Sequence, residues 1–163
     1  MKTTLIIGYG NPDRQDDGAA WYILNELASR FGCAEIPSTD DGLEPNDCSP
    51  SFIFSLQLMP ELAETIARYE KVCFVDAHTE NIAEAVQFIS LDSAFQRSPL
   101  THHMTPQTTL SIAETLYGHA PQAVLCSVRG YEFGFESQLS GATKSLADQA
   151  VQKIMNWLQE ENA

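Results

Sequence analysis

Basic residues are scarce in this chain: nine Lys and Arg stand against 22 Asp and Glu in 163 residues, a formal net charge of −13. A polyanion would be approached against a repulsive field, which argues against nucleic acid and anionic membranes as partners. A metal cation or a basic peptide segment would be drawn in, although an acidic surface is more often a device for solubility. Long apolar runs are also missing. Leu5 to Ile7 is too short for a signal-peptide core, and no apolar stretch of about 18 residues occurs anywhere. A cytoplasmic protein that does not span a membrane is the expectation. The four cysteines, Cys33, Cys48, Cys73 and Cys126, form no C-x-x-C pair and show no spacing of a zinc ribbon or disulfide framework. Reduced, partly buried thiols are therefore expected. There is no G-x-S-x-G elbow, H-E-x-x-H helix or G-x-x-x-x-G-K-[ST] loop, which leaves carboxylates and imidazoles as the chemistry to weigh.

Hydrophobic residues at 44% and charged residues at 19% are ordinary for a globular chain of this length, so residues 1–163 read as one domain. The β-branched run Thr3 to Gly8 predicts a buried strand, followed by a turn at Tyr9-Gly10-Asn11-Pro12. Ala20, Ile23, Leu24, Leu27 and Phe31 recur at helical spacing, predicting a helix from about Asp17 to Arg30 with Gly32 as its stop. A short strand is expected near Ala34 to Ser38, while residues 39 to 58 do not resolve into elements. From Met59, with Pro60 in the first turn, Leu62, Ile66 and Tyr69 share one helical face. Val72 to Val75 is a second buried strand ending at Asp76, Glu84 to Leu91 a further strand, and Asp92 to Thr101 a loop. Thr105-Pro106 caps a helix that runs to Gly118, and Ala123 to Val128 is a strand. After a loop from Arg129 to Glu136, a closing helix capped by Ser140 or Thr143 buries Leu146, Ala150, Val151, Ile154, Trp157 and Leu158. Alternating strands and helices predict a three-layer α/β/α fold. Its sheet would have about five strands, mostly parallel, with room for one antiparallel strand. Ligands in such sheets bind at the carboxyl ends of the strands, where the loops after Gly8, after Asp76 and around His103 would meet.

Three aspartates, Asp13, Asp16 and Asp17, crowd the loop after the first strand. Gly8-Tyr9-Gly10 suggests a dinucleotide loop, but the third glycine position holds Asp13, and carboxylates would repel a pyrophosphate. The bland reading is that Asp16 or Asp17 caps the helix, which needs only one of them. The surplus suits a cation, since hard and borderline metals take carboxylate oxygens. Asp76 closes an apolar strand at the same rim, where a turn-forming role competes with a ligand role. His78 lies beside it, and of the tandem pair His102-His103 one imidazole at most would face a given site. Cys73 and Cys126 fall inside strands, which suits packing better than nucleophilic attack.

Taken in order, Gly8-Tyr9-Gly10-Asn11-Pro12, Asp16-Asp17-Gly18, Phe74-Val75-Asp76-Ala77, His102-His103 before Thr105-Pro106, and Leu139-Ser140 resemble the motifs of the hydrogenase maturation proteases. Those enzymes trim the C-terminal extension from the large-subunit precursor of nickel-iron hydrogenases. The resemblance implies that Asp17, Asp76 and His103 bind a metal, with His102 as the alternative imidazole. It further implies that the metal is nickel already inserted in the substrate and used as the recognition signal. Cleavage would follow from positioning by that metal, with a carboxylate, Asp17 or Asp76, or a polarised water assisting. The family often has glutamate where Asp17 stands, so the reach here is about one methylene shorter. The Asp-Gly-Gly segment expected after the second strand is echoed only loosely by Asp40-Asp41-Gly42, and Gln57-Leu58-Met59-Pro60-Glu61 resembles a variant found in a subset of relatives.

Two other readings remain open on the sequence. One is a metal- or client-binding module of the same fold that no longer cleaves; the other is a nucleotide-binding α/β protein.

Overall fold

The computed structural model describes residues 1–38, 44–92 and 104–160. Five strands form one sheet: β1 (Lys2–Tyr9), β2 (Ser51–Ser55), β3 (Tyr69–His78), β4 (Val86–Leu91) and β5 (Gln122–Arg129). Their order is β2-β1-β3-β5-β4. The pairs β1–β2, β1–β3 and β3–β5 are parallel, and β4 closes one edge antiparallel to β5. The helices are α1 (Ala19–Arg30), α2 (Leu62–Ile66), α3 (Pro106–Tyr117) and α4 (Gly141–Glu160). This is the three-layer α/β architecture expected, including its single antiparallel strand.

Strand alternation sorts the core into two layers. Ile6, Cys73, Val75, Val124, Cys126 and Val128 turn to one face, where α1 brings Ala20, Ile23, Leu24 and Leu27 and α4 brings Ala147, Ala150, Val151 and Ile154. Leu5, Ile7, Val72, Phe74 and Ala123 turn to the other, against Leu62, Ala63 and Ile66 of α2 and Leu110 and Ala113 of α3. The chain leaves β1 through α1 to reach β2 on one side, then returns through α2 to β3 on the other side of β1. The crossovers therefore diverge between β1 and β3, which is the switch point where open α/β sheets bind ligands.

Several elements differ from expectation. Residues 33–37 form no strand; Ile36 is nonetheless buried, its N–H donating to Asn25 Oδ1 at 2.8 Å and its carbonyl accepting from Trp21 Nε1 at 2.8 Å. Side chains of α1 occupy the hydrogen bonds a strand neighbour would have used. Within residues 39 to 58, where no element was read, β2 buries all five of its residues. Residues 39–43, with Asp40-Asp41-Gly42, lie outside the described residues, as do 93–103. Helix α2 has only five residues, and Tyr69 opens β3 rather than extending the helix. Thr105 caps α3 as expected, its Oγ1 accepting from Thr108 N–H at 3.2 Å, and Gly118 ends that helix at φ 75°. Among the described residues no helix is long and apolar enough to cross a membrane.

The cysteines divide, contrary to the expectation of four reduced thiols. Cys33 and Cys48 form a disulfide across 15 positions, with Cα atoms 6.2 Å apart, whereas Cys73 and Cys126 are free and buried. The end of α1 and the approach to β2 are adjacent in space, a tertiary proximity that no local cysteine motif announces. Denatured, unreduced protein is expected to titrate two thiols, and reduced protein four. Cys48→Ser should lower unfolding stability in urea by up to about 3 kcal/mol, the loop-closure contribution of a bridge of this span.

Candidate functional site

The turn after β1 is shaped to bring Asp17 back over the strand end. Gly10 has φ +138°, and a Cβ there would collide with the Asp17 carbonyl oxygen, so only glycine lets the chain fold back this closely. The Asn11 N–H donates to Asp17 Oδ2 at 2.8 Å. A 3₁₀ turn, Gln15–Gly18, separates these residues from α1, whose N-cap is Gly18 with no side-chain cap. Neither Asp16 nor Asp17 therefore caps α1.

Asp16 instead holds two distant parts of the chain together. Its Oδ2 accepts from the N–H of Tyr131 at 2.8 Å, the N–H of Glu132 at 2.9 Å and the Ser140 hydroxyl at 2.8 Å, while Oδ1 accepts from Ser140 N–H at 2.8 Å. The Asp16 N–H in turn donates to the Glu132 carbonyl at 3.0 Å. Ser140 caps α4, its Oγ accepting from Thr143 N–H at 3.3 Å. Burial pushes the Asp16 carboxyl up, but these four donors outweigh it and the pKa falls below its ordinary 3.8. The side chain has no accessible surface.

Asp76 sits inside β3, two residues before its end, rather than in the turn beyond it. It is in register with Ser127 of β5. The Tyr9 hydroxyl donates to Asp76 Oδ2 at 2.6 Å, whereas Oδ1 is buried with no hydrogen-bond partner among the described residues. His78 competes with that oxygen for Ser127. His78 Nε2 lies 2.8 Å from the Glu84 carbonyl, which can only accept, so Nε2 carries a hydrogen. His78 Nδ1 lies 2.8 Å from the Ser127 hydroxyl, which donates to it in one protonation state of the ring and accepts from it in the other. Burial raises the Asp76 carboxyl above its ordinary value; hydrogen bonding by the Ser127 and Tyr9 hydroxyls and charge on His78 lower it, and the charge on Asp17 pushes it further up. Tyr9 is itself held protonated, first by burial and then by Asp76.

Asp17 and Asp76 both lie by the β1/β3 switch point, and the charge on Asp17 is felt at Asp76. His103 and His102 lie outside the described residues, and His78 is spent on Ser127 and Glu84. Among the described residues no group of three or more His, Cys, Asp or Glu is gathered to hold a metal ion. The pair nevertheless suits a cation: two like-charged carboxylates are neighbours and one buried oxygen has no partner. Burial also pushes the Cys73 thiol up, with the Cys126 thiol adding to it, and pushes Cys126 up to about 12, which removes both as nucleophiles near neutral pH. Nothing in the sequence marks Ser127 for the site, Tyr9 stands there only as part of a turn, and Asp16 only as a helix cap or a member of the acidic surplus. The available signal was the alternation Leu5, Ile7, Tyr9 on one face of β1.

Asp16→Ala would strand several buried donors and should cost roughly 3 kcal/mol or more in urea denaturation. Because folding lowers the Asp16 pKa, its contribution is present above the unfolded value of about 4 and is lost as pH falls through the folded one. Asp76→Asn should act oppositely. Folding raises the Asp76 pKa, so its contribution is full below about pH 4 and is lost as pH rises through the folded value. The cation-free variant is therefore expected to melt higher than the parent at neutral pH, with the difference vanishing in acid.

No family model matches the chain, and no curated protein matches it by sequence. Solved structures do match. The hydrogenase maturating endopeptidase HybD from E. coli superposes with a TM-score of 0.68 at 17% identity, covering 99% of this chain and 94% of that one. The [NiFe] hydrogenase maturation protease HycI from Thermococcus kodakarensis KOD1 gives 0.62 at 22% identity, covering 97% and 93%. HybD from Thermococcus kodakarensis gives 0.62 at 17%, covering 96% and 99%. At these identities the likeness is one of fold, and it agrees with the resemblance carried by the ordered motifs: over nearly its whole length the chain has the fold of the hydrogenase maturation endopeptidases.

Proposed function

We propose that this chain is an endopeptidase that removes the C-terminal extension of a nickel-iron hydrogenase large-subunit precursor after nickel has been inserted. The observation that carries the reading is Asp76 at the switch point with Oδ1 buried and unpartnered, within reach of the charge on Asp17. An acidic chain and two neighbouring carboxylates favour a cationic centre, and the fold is shared with endopeptidases of hydrogenase maturation. Nickel belongs to the substrate in this reading. Asp17, Asp76 and His103 would hold it, and its chemistry there is to fix the scissile segment of the precursor against the rim.

The chain's own residues supply the rest. Asn11 N–H and Tyr9 hydroxyl orient the two carboxylates. A groove of about 320 Å³ beside the turn, lined in part by Pro12, Trp21, Tyr22, Leu139 and Lys144, gives an extended peptide somewhere to lie. In this reading a carboxylate, Asp17 or Asp76, would assist hydrolysis by accepting a proton. The cytoplasmic setting expected from the sequence is part of this proposal, and a reducing compartment there would act on the Cys33–Cys48 bond.

Incubation with a nickel-loaded precursor should shorten that precursor at its C-terminus by mass spectrometry, and a nickel-free precursor should stay intact. Asp17→Asn and Asp76→Asn are each expected to slow processing by at least about 100-fold, a loss typical of removing a group that fixes the reacting centre. Binding of the nickel-loaded precursor with no cleavage under any condition would favour the non-cleaving client-binding module instead.

A further inference from the structure

We infer that Tyr9 is a positioning residue: its hydroxyl ties down one oxygen of Asp76 so that the other, Oδ1, is presented alone to the cation. The inference rests on the reading of Asp76 as a ligand given above. Tyr9 ends β1 on the face already occupied by Leu5 and Ile7, and its ring packs against the core layer that holds Phe74 and Leu110. That packing fixes the direction of the hydroxyl, which crosses to the neighbouring parallel strand and donates to Asp76 Oδ2 at 2.6 Å. Its partner Asp76 sits on a strand held on both sides, by β1 and by β5, so the carboxylate can adjust only by rotating about its own side-chain bonds.

Oδ2 already carries a short O–H···O bond, which holds the plane of the carboxylate and leaves that oxygen one acceptor site fewer for an ion. Oδ1 has no hydrogen-bond partner among the described residues, and the Ser127 hydroxyl lies 2.8 Å from His78 Nδ1. A carboxylate held through one oxygen with the other unpartnered favours contact through that second oxygen. Removing the Tyr9 hydroxyl takes away the short bond that holds the group. The group is then free to rotate, and the ordered single contact is lost. Hydrogen-bond partners behind a metal ligand typically change metal affinity by roughly tenfold to a hundredfold.

The test uses the full-length protein titrated with cobalt(II) alone, read by the visible absorption of the bound ion and by calorimetry. Four proteins are compared: the parent, Tyr9→Phe, Asp76→Asn and Tyr69→Phe. The last removes a buried tyrosine hydroxyl from the same core layer at the opposite end of β3. Melting temperature and far-ultraviolet dichroism establish that each is folded. The expected result is that Tyr9→Phe binds at least about tenfold more weakly, with a shifted cobalt band that reports altered coordination. Asp76→Asn should lose binding, and Tyr69→Phe should match the parent in affinity and spectrum. Parental affinity and an unshifted band in Tyr9→Phe, while Asp76→Asn is impaired, would overturn the inference and leave the ligand reading standing. Undiminished binding by Asp76→Asn, or no binding by the parent at millimolar cobalt, would overturn the ligand reading and the inference with it.

Discussion

Asp16 is the constraint on which the rim depends. The first turn and the loop after β5 come from opposite ends of the sequence, and each exposes backbone N–H groups that no strand or helix satisfies. One carboxylate beneath the rim takes three of those N–H groups and the hydroxyl that caps α4. The position of Asp17, the next residue, follows from that anchorage: the 3₁₀ turn cannot rotate without tearing Asp16 from its donors. The fixed turn then sets Asp17 over Asn11 and toward Asp76.

The carboxylates of the site divide their labour by how fully they are solvated by protein. Asp16 has four donors and is held ionised at a pKa below the ordinary range, so it contributes stability and offers nothing to a ligand. Asp76 has one firm donor, the Tyr9 hydroxyl, on one oxygen, a like-charged neighbour and an unpartnered buried oxygen, and burial raises its pKa above the ordinary value. A buried charge left short of partners is costly. It persists at functional positions because a ligand supplies what the protein withholds. The adjacent Asp16 and Asp17 thus have separate fates, Asp16 held by the loop after β5 and Asp17 by the Asn11 N–H.

Much of the fold was legible because its signals are local. The β-branched run of β1, the helical spacing of α1 and α4, the Thr105-Pro106 cap and the glycine stop at Gly118 each declare themselves within a dozen residues. What escaped was set by distance. The strand Ser51–Ser55 is apolar without alternation because it is buried on every residue, and residues 33–37 stay irregular because Asn25 and Trp21 take the hydrogen bonds of Ile36. The disulfide joins cysteines whose spacing carries no motif. At the site, order along the chain pointed to Asp17 and Asp76, but which of the adjacent aspartates faced the rim depended on the loop after β5, invisible from the local pattern.

The parallel pairing of β1 with β3 accounts for how such a site arises from so few residues. In parallel strands, side chains at matched positions on one face stand side by side, so a tyrosine ending β1 and an aspartate near the end of β3 meet with no dedicated loop. Ser127 on β5 extends the same row and pairs with His78, two residues beyond Asp76. Four side chains on three neighbouring strands thereby set which Asp76 oxygen carries a short hydrogen bond. Since the strands beneath are buried on both faces, the backbone positions of these side chains are fixed, and the rigidity of the site's frame is the rigidity of the core beneath it.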